Sequence, residues 1–581
     1  MRDGEVVAAA QEERFSRQKG DASLPVRAAR FCLDFAGLVP ADLDAVVFYD
    51  KPIVKLDRLL STYAATAPRS LRSFLVAMPA WLSRKLWVAD ELRRALGYDG
   101  EVLFGDHHES HAASAFYPSG FSRAAVLTLD GVGEWSAGSL WLGEGLDLTP
   151  LAEQRFPHSL GLLYSTFTYY CGFRVNSGEY KLMGLAPYGA PVFRDRILDE
   201  LVDLKPDGSF RLDCRRFGFL SGLTMTNGEF EELFGGPPRS PEGPLGRREM
   251  DLAASIQAVT EEIVLRQARR AHELTGADSL CLAGGVALNC VANGRLLREG
   301  PFERIWVQPA AGDAGGALGA ALAAYHRLFR RPRAPDGRRP SPYLGPGFSD
   351  DEVAAALQAA GARFVTLTEE ELCARVAALL DAGKVVGWFQ GRMEFGPRAL
   401  GARSILADAR SPGMQSELNL KIKFREGFRP FAPAVLEARA ADWFEGARPS
   451  PYMLFTFPVR RERMRAVGPA EGFARLQQAR SEIPAVTHVD GSARIQTVDR
   501  EGNPRLHRLL SAFEARTGTP LVINTSFNVR GEPIVCTPED AWRCFRRTAM
   551  DALAIGSHLL LQQDQPPWNE DETWRQGLAG D

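Results

Sequence analysis

A chain of 581 residues is too long for a single hydrophobic core and divides into two to four packing units at roughly 100 to 200 residues each. Apolar residues make up 45% and charged residues 24%, proportions that exclude a disordered or fibrous chain. The net charge of −3 gives no basic surface for nucleic acid or an anionic membrane, and no apolar run reaches the roughly 20 residues that span a bilayer.

At the N-terminus, GEVVAAAQEERFS (residues 4–16) reads as the second strand of a hairpin followed by a turn. Its partner strand is expected upstream, where the sequence supplies nothing. A misplaced start codon or a truncation is the expected cause. No signal-peptide pattern is present, and a cytoplasmic protein is expected. The eight cysteines form no CxxC and sit in apolar runs, so reduced, buried thiols are expected rather than a zinc site or a disulfide framework.

Up to about residue 325, strands alternate with helices. DAVVFY (44–49), AAVLTLDG (124–131), SLCLAGG (279–285) and RIWVQP (304–309) are short apolar runs of the kind that form buried strands of an α/β sheet. DLAASIQAVTEEIVLRQARRAHELTG (251–276) is an amphipathic helix closed by glycine, and its apolar spacing needs no explanation beyond core packing. VALNCVANGRLLREG (286–300) reads as a second glycine-closed helix. Residues 329–350, rich in Pro, Gly and Arg, form the expected linker. Beyond it the alternation resumes, with a helix in DDEVAAALQAAG, a strand in FVTLT, a helix in EEELCARVAALLDAG and a strand in VVGWFQG.

FGDHHESHAASAF (104–116) holds three of the nine histidines. On a helix, His107 and His111 stand at i and i+4 on one face, where two imidazoles can share a metal ion; His108 points elsewhere. Ordinary core histidines are the competing explanation. Asp130 ends a strand and is followed by Gly131 and Gly133. Such a turn can free backbone N–H groups for phosphate while the carboxylate holds a metal, although Asp-Gly is also a common simple turn. LAGGVALN repeats the pattern with Gly284, Gly285 and Asn289 at a helix start. PAAGDAGGALGAAL (309–322) adds Gly312 and Asp313, among small residues that also permit close helix packing.

Past the linker, Arg398, Arg403, Lys421, Lys423, Arg425 and Arg429 cluster among glycines and apolar residues, in GWFQGRMEFGPRALGARSILADAR (387–410) and LNLKIKFREGFRPFAPAVL (418–436). Arginine suits bidentate binding of phosphate or carboxylate, whereas a solvated basic face would interleave more acids. LVINTSFNVRGEPIVCTPEDA (521–541) places Asn524, Ser526 and Asn528 at a strand end. There they could hold a small polar group such as a carbamoyl unit or form a simple Asx-rich turn.

In chain order the first set resembles the phosphate and adenosine loops of the actin–Hsp70–sugar kinase (ASKHA) superfamily. More narrowly, it resembles the metal core of the threonylcarbamoyl-transferring Kae1 and TsaD proteins. With AAAQEERFSRQK, SGEYKLMGLAPYG (177–189) and the two arginine-rich strings, nearly the whole chain resembles the O-carbamoyltransferases of the NodU/CmcH/TobZ type.

That resemblance implies an α/β protein. Residues 1–328 would form a Kae1-like domain, a duplicated ribonuclease-H-like fold, and residues 351–581 a YrdC-like domain. The C-terminal domain would take carbamoyl phosphate and ATP, with magnesium, and form carbamoyl adenylate. The residues implied there are Arg398, Arg403, Lys421, Arg429, Asn524, Ser526 and Asn528. The N-terminal domain would hold a divalent metal, often iron, on His107, His111, Asp130 and Asp313, and the nucleotide on Gly131, Gly133, Gly284, Gly285, Asn289 and Gly312. There the carbamoyl group would pass to a hydroxyl of a sugar or related metabolite. Lys181 is either a charge facing the substrate or a surface lysine. Family members usually begin with a further strand and a His-Asp turn as a candidate source of the base; this sequence does not show that turn, so the general base stays unassigned. A homodimer is an open guess. The alternatives are a tRNA threonylcarbamoyltransferase, which lacks the second domain and favours a basic surface, and a nucleotide-binding protein without transfer chemistry.

Overall fold

The computed structural model describes residues 1–333, 339–568 and 574; the middle of the expected linker, 334–338, and most of the chain beyond 568 lie outside the described residues. The chain forms two compact units, Met1–Ala9 with Leu24–Pro340, and Ala10–Ser23 with Ser341–Asp581. The segment Ala10–Ser23, grouped with the first domain in the sequence reading, therefore packs with the second unit.

The first unit is built on a five-stranded mixed sheet. Its strand order is Asp147–Arg155, Ser136–Glu144, Arg123–Leu129, Ser279–Ala283 and Arg304–Val307. The first two pairings are antiparallel and the last two parallel. The central strands Arg123–Leu129 and Ser279–Ala283 are almost wholly buried, as their continuous apolar runs require. Val46–Phe48 and Val102–Phe104 pair as a separate parallel ribbon. The longest helix, Arg247–Thr275, is 29 residues long; the Glu249 carboxylate accepts the Gly246 N–H at its start, and Gly276 in left-handed conformation ends it. It buries Leu252, Ile256, Val259 and Ile263, one face at helical spacing.

Two local expectations are corrected. Residues 4–11 form no strand; only an isolated Arg2–Glu5 bridge precedes the helix Glu12–Ser16. The expected helix at 286–300 begins later, at Cys290, because Gly285–Leu288 turns as a 3-10 segment and Asn289 becomes the cap.

The second unit carries an eight-stranded mixed sheet. Its order is Val365–Thr366, His558–Leu561, Ala552–Ile555, Val386–Phe389, Arg403–Ala407, Leu521–Ser526, Ala432–Leu436 and Gln496–Val498. One face is covered by helices Glu369–Asp381 and Pro504–Thr517. Leu372, Val376 and Leu380 of the first helix and Leu506, Leu509 and Phe513 of the second join Val386, Trp388, Leu406 and Val522 of the sheet in one core. Both units are thus mixed α/β, as expected. All eight cysteines are free, and six are buried. No helix among the described residues is long and apolar enough to cross a membrane.

Candidate metal centre and anion loops

The Asp106 carboxylate opens the helix His107–Phe116 by accepting the His108 and Glu109 N–H groups at 3.2 and 3.3 Å. The helix is buried along almost its whole length, which explains its run of alanine and serine. His107 and His111 lie one turn apart, with their Nε2 atoms 3.2 Å from each other. Asp130 follows the central strand and sets Oδ2 3.2 Å from His107 Nε2 and 3.8 Å from His111 Nε2. Asp313 begins the helix Asp313–Ala323 and sets Oδ1 3.7 Å from both rings. The four ligand atoms all lie within 4.8 Å of one another. The side chains singled out in the sequence are therefore brought together.

Two imidazoles and two carboxylates converging on one point form a donor set suited to iron or another divalent transition metal. The carboxylates also act on the rings. Burial pulls His111 down, but Asp130 and Asp313 outweigh it and leave its pKa at about 9. Burial pushes Asp130 up, yet its bonds to His107 and His111 hold it well below the usual carboxylate range. Burial also drives His108 well below the ordinary histidine value; its Nδ1 meets Thr128 Oγ1 at 2.7 Å, away from the cluster. The Asp313 side chain is 59% exposed while both rings are enclosed, so the centre opens to solvent past Asp313.

Residues that the sequence did not flag hold the centre in place. Glu134, buried at 3% exposure, accepts the His107 N–H at 3.1 Å and the Lys51 N–H at 2.8 Å. Tyr49 stands 5.4 Å from the His107 ring, centroid to centroid. Ser159 Oγ donates to the carbonyls of Asp130 and Gly131 at 3.1 and 2.6 Å.

The expected nucleotide glycines divide into two kinds. Gly133, Gly284 and Gly285 serve the protein's own packing. A Cβ on Gly133 would press on the His107 side chain, 2.9 Å from its Cβ and 3.0 Å from the ring. On Gly284, whose φ is +88°, it would strike the Leu129 carbonyl at 2.2 Å. The Gly285 N–H donates to Asp130 Oδ1 at 2.9 Å. Gly131 and Gly312, by contrast, face open space. The Asn289 amide is largely occupied: Oδ1 accepts the Ala292 N–H, and the whole group pairs reciprocally with Gln257 at 3.0 and 3.1 Å.

In the second unit, the Lys423 ammonium donates to Ser526 O at 2.6 Å, Asn528 O at 2.8 Å and Asn528 Oδ1 at 2.6 Å, and lies 3.2 Å from Ser526 Oγ. Burial, with Arg425 acting in the same direction, pulls the Lys423 pKa well below the usual lysine range. Arg425 donates to Asn419 Oδ1 at 2.7 Å and stacks over Phe431. Arg398 and Arg429 are half-buried. Lys421 is exposed beside Glu417. Arg403 is fully buried and donates to the carbonyls of Gln390, Gly391, Ala402 and Pro346 at 2.9 to 3.1 Å. Asn524 is buried and donates to Gln496 Oε1 at 2.7 Å.

Residues 1–322 match the family model described as Carbamoyltransferase N-terminus, and residues 377–562 match the one described as Carbamoyltransferase C-terminus. The chain belongs to the carbamoyltransferase family.

Two relatives of this carbamoyltransferase share nearly its whole length. A Synechocystis sp. protein, sll1178, is 56% identical over 99% of the chain and 96% of that protein. Nodulation protein NolNO of Sinorhizobium fredii is 39% identical over 98% of the chain and 79% of that protein. Nodulation protein U of Rhizobium tropici is 38% identical over 48% of the chain and 44% of that protein. A crystal structure of HypF from T. kodakarensis aligns with 40% of the chain and 38% of its own, at 18% identity and a TM-score of 0.22. In the carbamoyltransferase, Lys181 is buried at 1% exposure with its ammonium 5.8 Å from the Phe173 ring centre, which removes the surface-lysine alternative.

Proposed function

We propose that this carbamoyltransferase makes carbamoyl adenylate in its second unit and transfers the carbamoyl group in its first, to a hydroxyl of a sugar or other small metabolite. The observation that carries the reading is the meeting of His107, His111, Asp130 and Asp313 in one unit. It stands with a separate cationic cluster in the other unit, around Lys423, Ser526 and Asn528. The first unit's sheet, with three antiparallel strands followed by two parallel ones, supports an actin- and Hsp70-like fold for that half. The second unit is read as YrdC-like, with domain limits near 328 and 351.

In the second unit, water converts carbamoyl phosphate to carbamate and phosphate. A carbamate oxygen then attacks the α-phosphorus of ATP, the bond to the β-phosphate breaks, and magnesium pyrophosphate leaves. Bringing these anions together needs fixed cations and dipoles. Arg398 and Arg429 clamp phosphate, with Lys421 at the exposed rim. Lys423 holds Ser526 and Asn528 in position for the carbamoyl group. Arg403 and Asn524 act from beneath, by fixing the strands that carry these loops.

In the first unit, His107, His111, Asp130 and Asp313 would hold a divalent metal, probe iron being the natural first trial. Bound there, the metal would supply Lewis-acid polarisation. Gly131 and Gly312 leave room for the adenylate phosphate. Glu134 and Ser159 keep the ligand-bearing segments in register. The acceptor hydroxyl gives up its proton to solvent as its oxygen bonds to the carbamoyl carbon, the bond from that carbon to the phosphate oxygen breaks, and AMP departs. The test is ATP–pyrophosphate exchange that depends on carbamoyl phosphate. The reading expects exchange with the purified chain; its absence when both substrates are present contradicts the reading.

A further inference from the structure

The segment Ala10–Ser23 belongs to the second unit although the first unit occupies the chain on both sides of it. Its helix Glu12–Ser16 is short, yet Arg14 within it and Arg17, its C-cap, have partners far along the chain. Arg14 is buried at 4% exposure; one terminal nitrogen donates to the Gly396 carbonyl at 3.0 Å and to Gln11 Oε1 at 2.9 Å, and the other pairs with Glu13 at 2.6 Å. Arg17 spreads its fork over two successive carbonyls, Ile534 at 2.7 Å and Pro533 at 3.0 Å. Between them Phe15 packs against Met393, Ile534 and Cys536.

The two loops held this way are the ones that bear proposed substrate groups. Gly396 precedes Arg398 by two residues. The other end of that loop is pinned by Glu394 Oε1, which accepts the Leu400, Ala402 and Arg403 N–H groups at 2.7 to 3.1 Å. Pro533 and Ile534 follow Asn528, whose side chain donates to the Glu532 carbonyl at 2.7 Å. Without Arg14 and Arg17, the Gly396, Pro533 and Ile534 carbonyls would lose these charged donors. A charged two-pronged donor on consecutive carbonyls fixes the peptide planes as well as their distance.

We infer that Arg14 and Arg17 are positioning residues for the carbamoyl phosphate and ATP site, holding the Arg398 and Asn528 loops in their binding geometry. The inference rests on the proposed function of those loops. The experiment is carbamoyl-phosphate-dependent ATP–pyrophosphate exchange by the full chain carrying Arg17→Ala, Arg14→Ala or Arg398→Ala. Arg17 is partly exposed, so its variant keeps the test decisive if Arg14→Ala fails to fold. Arg17→Ala is expected to raise the KM for carbamoyl phosphate about ten-fold, the scale of one charged hydrogen bond, with kcat nearly unchanged. Added methylguanidinium should lower that KM again, an effect that general loosening would not show. An unchanged KM, or a rise without rescue, overturns the inference. If Arg398→Ala leaves exchange intact, the underlying reading of the loop is what fails. If Arg398→Ala abolishes exchange while Arg17→Ala matches wild type, the positioning role alone fails.

Discussion

Gly319 backs so closely onto Ser110 that a Cβ built on it would lie 1.7 Å from the Ser110 carbonyl oxygen. This contact joins the helix Asp313–Ala323 to the helix His107–Phe116, and the two helices carry three of the four proposed metal ligands. The distance between Asp313 and the histidine pair therefore depends on the missing side chain at 319. Gly319→Ala must push the helices apart. A destabilisation of about 3 kcal/mol or more is expected, with metal affinity lowered beyond what stability explains. Gly312→Ala, at an open position on the same segment, is the control. Calorimetric unfolding and metal titration of both variants check this; wild-type affinity in Gly319→Ala would contradict it.

Glu134 reaches the centre from behind, through the His107 backbone N–H rather than its ring. Glu134→Ala should weaken metal binding about ten- to hundred-fold, as loss of an outer support does at other metal sites. Glu134→Gln keeps an accepting oxygen and should bind nearly as wild type. Competition against a chelator measures both. Equal affinities for the alanine and glutamine variants would deny Glu134 this role.

The sequence made the metal set legible because its signals are local. His107 and His111 share one helix face by spacing alone, and Asp130 and Asp313 each stand next to glycine at the edge of an element. The strands at 124–129, 279–283 and 304–307 were legible because continuous apolar runs admit few other structures. The parts that were not legible depend on tertiary closure. Arg403 reads as an anion ligand in a basic string, yet it is enclosed by carbonyls that include Pro346, from a distant segment. Asn289 reads as a nucleotide contact, yet Gln257 of the long helix occupies its amide. Residues 4–16 read as a strand followed by a turn, but the arginines at 14 and 17 find their partners near 396 and 534. No periodicity encodes such pairings.

Arg403 can be tested directly. Its guanidinium meets four carbonyls and the Phe389 face, with no exposed surface. Arg403→Ala leaves those carbonyls without a donor and should cost the second unit about 3 kcal/mol or more in denaturant unfolding. A variant with wild-type stability that loses only exchange would instead make Arg403 a ligand residue.

One pH effect follows from His158, whose Nδ1 accepts the Leu212 N–H at 3.1 Å. Burial, assisted by Arg211, lowers its pKa. A base depressed by folding binds fewer protons folded than unfolded, so its stabilising contribution is present above the unfolded value near 6.5 and is lost as pH falls below it. Replacing His158 with Gln should flatten the dependence of Tm on pH between about 7 and 5 relative to wild type. The effect should be small, because the ring is half-buried. An identical pH profile in the variant would refute it.

The division of labour between the two units is tested most directly by His107→Ala. The account predicts that wild type binds one divalent metal ion per chain, that the variant binds none, and that carbamoyl-phosphate-dependent ATP–pyrophosphate exchange proceeds at the same rate in both. Loss of exchange together with the metal, in a variant that melts as wild type does, would contradict it.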